Sequence, residues 1–162
     1  MAKNTITNYG VAELTKVVSR KTGEIEAQMA LNSAILTLEN GMITYIDVVN
    51  NEVVTTYDAA TCLQTKYLHF SNARRYVTGS EGMNNFVYEN SADVLPRLYK
   101  LHIGDLFVTN LIDTGDVLTY EGFADVTAGV ITSVSSSSTG DFYIKPTTLP
   151  NGDAAFSVRV VA

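Results

Sequence analysis

The sequence predicts a mainly β fold: a small antiparallel β-barrel or sandwich with an N-terminal arm carrying a short helix. Three observations predict it. Residues 35–57 form three runs of β-branched and aromatic residues, parted by Asn40-Gly41 and Asn50-Asn51. Residues 101–162 are cut into short apolar runs by Gly104-Asp105, Gly115-Asp116, Gly140-Asp141 and Gly152-Asp153. Short strands spaced by roughly 8–12 residues and separated by Gly and Asp belong to barrels and sandwiches. Residues 1–34 follow a different pattern, which divides the chain into an arm, residues 1–34, and one β-rich domain, residues 35–162.

In the arm, Val11, Leu14, Val17 and Val18 fall at helical spacing. Gly23 after Arg20-Lys21-Thr22 marks a helix stop with cations in the last turn. Ile25, Ala27, Met29 and Leu31 then alternate with Glu24, Glu26, Gln28 and Ala30, a strand period, although Ile25 and Met29 also fit a helix. Two readings stay open here: a docking arm, or the first elements of the core. Residues 35–57 make a three-stranded meander, with Asn40-Gly41 as a type I′ hairpin turn and Asn50-Asn51 as a second left-handed pair. Residues 58–100 are less regular. Lys66 to Phe70 reads as a strand and Thr78 to Gly82 as a loop, and Val94-Leu95 precedes Pro96. Tyr67, Phe70, Tyr76, Phe86, Tyr88 and Tyr99 gather there and serve either core or interface; Arg74-Arg75-Tyr76 is the one basic–aromatic spot. Beyond residue 100, strands are expected at residues 106–109, 117–120, 129–134, 142–144 and 156–161. Ser135 to Ser138 forms a hairpin tip, and Pro146 and Pro150 flank a loop.

Composition excludes several function classes. Hydrophobic residues make up 46% of the 162 positions, enough for a real core, while charged residues make up only 17%. Eleven Lys and Arg against seventeen Asp and Glu leave a net charge of −6, which is no electrostatic footprint for nucleic acid. The charge is uneven: residues 1–100 carry a net −1 and residues 101–162 a net −5. The acidic end suits a solvated face, and the near-neutral part suits packing against something else. No apolar run approaches the roughly 18 residues of a membrane span. Cys62 is the only cysteine, so no intramolecular disulfide forms, and it reads as a buried, inert thiol. Met1 to Thr5 lacks the apolar segment of a signal peptide, so folding in a cytoplasm is expected.

Catalytic chemistry is not visible. The two histidines, His69 and His102, stand in no nucleophile motif. His102 and Asp105 make half a metal site at most, and Leu101 to Gly104 reads as a strand end with an exposed His. Asp113, Asp116 and Asp125 lack the calcium-loop pattern and read as turn chemistry. Trp is absent, which removes the commonest carbohydrate platform, although nine Tyr could substitute. No Gly-rich phosphate loop opens a helix. No catalytic residue, metal or cofactor is assigned.

Tyr99 to Asn110, with Gly104-Asp105-Leu106-Phe107 at its centre, resembles a segment of the small auxiliary or decoration proteins of tailed-phage capsids. Asp113 to Val117 and Phe156 to Val161 share that style. The resemblance covers about a third of the chain and carries no catalytic residue over. It implies a non-enzymatic virion protein on the capsid exterior, binding and reinforcing the lattice of major capsid protein beside copies of itself. The residues expected to make the contacts are Val11, Leu14, Val17, Val18, Ile25, Met29 and Leu31 in the arm, with Arg74, Arg75 and Tyr76. Deleting residues 1–34 should then abolish lattice binding and leave the β domain folded. Two other readings remain: a tail, baseplate or head–tail connector subunit, and a soluble β-barrel enzyme or ligand-binding module. The last predicts a concave pocket with a perturbed pKa at His69 or His102.

Overall fold

A computed structural model of the chain describes residues 12–70, 87–89, 95–115, 117–133, 139–150 and 152–162. The chain opens with Ala12–Lys16 (β1), a one-turn helix Ser19–Thr22 (α1), Ile25–Glu26 (β2), Ala30–Leu31 (β3), Thr37–Glu39 (β4), Ile43–Asp47 (β5) and Glu52–Val54 (β6). Tyr67–His69 (β7), Val87–Glu89 (β8) and Leu98–Lys100 (β9) follow. The remainder is Leu106–Thr109 (β10), Ile112–Asp113 (β11), Gly122–Thr127 (β12), Val130–Ser133 (β13), Phe142–Thr148 (β14) and Ala154–Val160 (β15).

The fold is mainly β, as predicted. Seven strands form one sheet in the order β1-β10-β15-β14-β12-β13-β11, six form another in the order β2-β9-β7-β5-β6-β3, and β4 pairs β8 alone. Pairing is antiparallel except between β11 and β13 and between β3 and β6, where it is parallel. The two large sheets share one core. Leu14, Phe107, Phe142, Ile144, Phe156 and Val158 enter it from the first sheet, and Ile43, Tyr45, Leu68 and Tyr99 from the second. Strand periodicity explains the selection: in β14, Phe142 and Ile144 are buried while Lys145 points to solvent. A smaller cluster of Leu31, Leu38, Val53 and Leu98 lies beside it.

Several expectations need correction. The helix expected from Val11 onward is a strand over Ala12–Lys16, paired with β10. Its inward residues Ala12 and Leu14 alternate with Glu13, so the segment satisfies a period of two as well as the helical one. Among the described residues helix is confined to the single turn of α1. Gly23 does stop it, at φ +81°, with its N–H donating to the Ser19 carbonyl at 2.9 Å. Of the two readings of residues 1–34, the described part, 12–34, follows the second: it supplies core elements. Val11 lies outside the described residues.

The expected meander is half present. β5 and β6 form a hairpin whose loop places Asn51 at φ 58°. β4, however, pairs with β8 and not with β5. Asn40-Gly41 is a corner that carries the chain from the small ribbon into the six-stranded sheet. Gly41 stands at φ +97° and donates its N–H to the His69 carbonyl at 3.0 Å. A Cβ there would collide with the Thr109 side chain. The tight two-residue hairpin occurs instead between β12 and β13, where Ala128 (φ 48°) and Gly129 (φ +81°) both take the left-handed conformation of a type I′ turn.

Residues 117–120 form a turn and not a strand, with the Tyr120 N–H donating to the Val117 carbonyl at 3.2 Å. Pro146 does not flank a loop but lies inside β14. It fits because β12 pairs β14 only as far as Ile144, so the absent N–H faces an open edge. Of the Gly-Asp pairs, Gly104, Gly115 and Gly152 have positive φ, whereas Gly140 does not; there a Cβ would stand 2.8 Å from the Ala124 carbonyl oxygen. Thr78 to Gly82, Phe86, Val94 and Ser135 to Ser138 lie outside the described residues.

Candidate functional site

The ten residues expected to make contacts are divided by the fold. Leu14 and Val17 are 4% and 1% exposed and belong to the main core. Leu31 is buried in the smaller cluster. Ile25 and Met29 are partly buried and pack against the two clusters. Leu14, Val17 and Leu31 thereby serve the core of the chain itself. Val18 alone among the described members is exposed, at 46%. Arg74, Arg75 and Tyr76 lie outside the described residues.

Val18 leads to a surface that the sequence did not single out. Asp105, at the start of β10, is 2% exposed. Its Oδ1 accepts the Val18 N–H at 3.0 Å and its Oδ2 accepts the His102 N–H at 2.9 Å. The Asp105 N–H donates to the His102 carbonyl at 3.0 Å, and the Gly104 N–H to the Val160 carbonyl at 2.9 Å. Gly104 supplies the φ of +94° that the turn needs. One buried carboxylate therefore ties two loops together. Each loop presents an aliphatic side chain to solvent: Val18, and Ile103 at 77% exposure.

Charged and polar groups stand on the same two segments. Glu24 accepts hydrogen bonds from Lys100 Nζ at 3.2 Å and Thr22 Oγ1 at 3.0 Å, and its Oε2 lies 3.2 Å from His102 Nε2. The Lys100 bond, then the Thr22 bond, hold the Glu24 carboxyl below the usual carboxylate range. Arg20 Nη1 donates to the Leu14 carbonyl at 3.2 Å, so α1 is tied to β1 as well as to Asp105.

The two histidines stand in different surroundings. His69 is fully buried, and its Nδ1 donates to the Glu39 carbonyl at 3.0 Å. Burial pulls its pKa down to about 4. The perturbation expected of a ligand-binding module is thus present at His69, but on a ring sealed in the core. His102 stands in a loop beyond β9, half-buried, between Glu24 and Asp105. Its Nδ1 lies 3.7 Å from Asp105 Oδ2.

Two clefts stand elsewhere on the described surface. One, of about 400 Å³, is lined by Asp47, Asn50, Glu52, Asp58 and Cys62 among others. Asp47 already serves its own hairpin: Oδ1 accepts the Val49 and Asn50 N–H groups at 3.0 Å, and the bonds from Asn50 hold its carboxyl below the usual range. Cys62 is half-buried rather than buried, with Sγ 3.7 Å from Thr61 Oγ1. Among the described residues no group of three or more His, Cys, Asp or Glu could hold a metal ion. The second cleft, of about 550 Å³, is lined by Tyr45, Tyr57, Gln64, Lys66, Asp125, Val126, Asp141 and Ala162. The Tyr45 and Tyr57 rings stand 5.3 Å apart at 52°. Burial first, then the carboxylates of Asp141 and Asp125, push the Tyr45 phenol up to about 12. Sequence reasoning missed this cleft, because its residues come from six separate places in the chain.

Among the described residues no helix is long and apolar enough to cross a membrane. No protein family, curated protein or solved structure matches the chain.

Proposed function

We propose that the chain is a non-enzymatic structural protein of a tailed-phage virion, binding the outer capsid lattice beside copies of itself and reinforcing it. The observation that carries this reading is the pair Val18 and Ile103, exposed on two loops that share the Asp105 carboxylate. Side chains held in place before contact lose little conformational entropy on docking, which favours a surface used many times in one assembly. The resemblance of Tyr99 to Asn110 to decoration proteins falls on the same loop. His69, Asp47 and Asp105, engaged in structural hydrogen bonds, add support for a non-enzymatic role. The contact region proposed from sequence, the arm with Arg74, Arg75 and Tyr76, moves accordingly to the Val18–Ile103 surface.

Quantitative mass spectrometry of density-purified particles tests this. The expected result is a copy number near that of the major shell protein, reduced at least tenfold by Ile103→Asp. A count matching a single ring assigns the chain to a tail or connector instead. Absence from particles overturns the virion reading.

A further inference from the structure

We propose that the cleft between Tyr45 and Asp141 binds a neutral sugar ring, stacked against Tyr57 and hydrogen-bonded by Tyr45, Gln64 and the carboxylates of Asp125 and Asp141. The inference goes beyond the structural role and does not depend on it.

The volume of about 550 Å³ is that of a small-molecule site and exceeds a single sugar ring, leaving room for a second unit of a glycan. The site stands where the two sheets meet: Tyr45 comes from β5 of one, Asp125 and Val126 from β12 of the other. Its charges are already engaged. Lys66 Nζ lies 3.2 Å from Asp141 Oδ2 and donates to the Ala162 carbonyl at 3.1 Å, and Asp125 Oδ1 accepts the Asp141 N–H at 3.0 Å. A charged ligand would have to compete with these bonds.

The capacity that remains includes neutral donors and acceptors. Tyr45 is 6% exposed and lines the cleft, and its hydroxyl makes no hydrogen bond among the described residues, so it is open to a ligand as donor and acceptor. Tyr57, 38% exposed, presents its ring to the opening, and Gln64 offers both a donor and an acceptor. Tyr57 and Val126 supply apolar faces for the C–H side of a sugar, and the hydroxyls of that sugar meet Tyr45, Gln64 and the second carboxylate oxygens. An aromatic platform with mixed donors and acceptors selects a polyol over a purely apolar ligand.

Titration of the full chain with maltotriose, cellotriose and chitotriose, followed by NMR of the tyrosine ring resonances, tests the proposal. At least one trisaccharide is expected to shift Tyr45 and Tyr57 saturably, with a Kd of about 1 mM, corresponding to roughly −4 kcal/mol. Tyr57→Ala, an exposed position, should weaken that binding at least tenfold, and Tyr57→Phe should retain it. Unchanged tyrosine resonances with all three sugars, or equal binding by Tyr57→Ala, overturns the site. Saturable shifts with benzyltrimethylammonium and none with the sugars overturns it in favour of a cation.

Discussion

The Asp105 carboxylate accepts the backbone N–H of Val18 at 3.0 Å, joining positions 87 residues apart in the chain. The bond fixes the end of β1 and the start of α1 to the loop that opens β10. That loop is itself closed by the second oxygen, on the His102 N–H at 2.9 Å. A turn residue thus acts at long range.

Asp105→Ala should therefore cost more than a lost turn residue. It leaves two backbone N–H groups without their charged acceptor in a buried place. Charge-assisted hydrogen bonds contribute about 1.5–3 kcal/mol each, so a loss of about 3 kcal/mol is expected. Asp105→Asn keeps one carbonyl oxygen and should lose about half as much. Urea unfolding of the three proteins checks the order, and equal stability of Asp105→Ala and the parent refutes the clamp.

The hairpin at Ala128-Gly129 predicts opposite effects at adjacent positions. Gly129 is at φ +81°, its carbonyl accepts the Ile43 N–H at 2.8 Å, and a Cβ on it would stand 3.1 Å from the Ile43 carbonyl oxygen. Gly129→Ala combines left-handed strain with crowding against the other sheet and should destabilise by about 2 kcal/mol. Ala128 occupies φ 48°, where Asn or Gly is at ease. Ala128→Asn should stabilise by about 0.5–1 kcal/mol. Melting temperatures moving in opposite directions are the expected readout.

His69 sets a pH dependence. Its folded pKa of about 4 lies below the ordinary value of 6.5. As pH falls through 6.5 the unfolded chain takes up a proton that the folded chain refuses. Stability is therefore full above that value and falls progressively down to about pH 4. The whole effect is about 3 kcal/mol. Glu24 and Asp47, whose carboxyls are held low, act in the same direction but only nearer and below pH 4.5. Urea unfolding at pH 7.5 and pH 5 isolates the histidine, and His69→Gln should flatten the difference.

Particular residues show how far the sequence reaches. Phe142, Ile144, Phe156 and Val158 alternate cleanly, and both strands were legible. Gly23 was legible because only a left-handed residue ends a helix that way. β1 was not, because Val11, Leu14, Val17 and Val18 satisfy the helical period while Ala12 and Leu14 satisfy the strand period. Pairing with β10 decides between them, and that partner lies some ninety residues away. Asn40-Gly41 failed as a hairpin for the same reason: the turn chemistry is local, but β4 finds its partner in β8. Asp105 was legible as a turn residue and not as a clamp, and the cleft around Tyr45 required the packing of the two sheets.

The burial of Leu14 changes what truncation should do. An N-terminal segment that merely docks on a neighbour could be removed without harm to the β domain. Here deletion of residues 1–34 removes Leu14 and Val17 from the main core and Leu31 from the second cluster, and leaves β10 without its outer strand. The truncated chain is expected to lose cooperative unfolding as well as lattice binding. Two single substitutions separate the roles. Leu14→Ala removes a fully packed side chain and should cost about 2–5 kcal/mol. Val18→Asp, four positions on and 46% exposed, should change stability by about 0.5 kcal/mol or less while lowering particle occupancy. A stable truncated domain, or a Leu14→Ala variant as stable as the parent, would return residues 12–34 to the status of a separate arm.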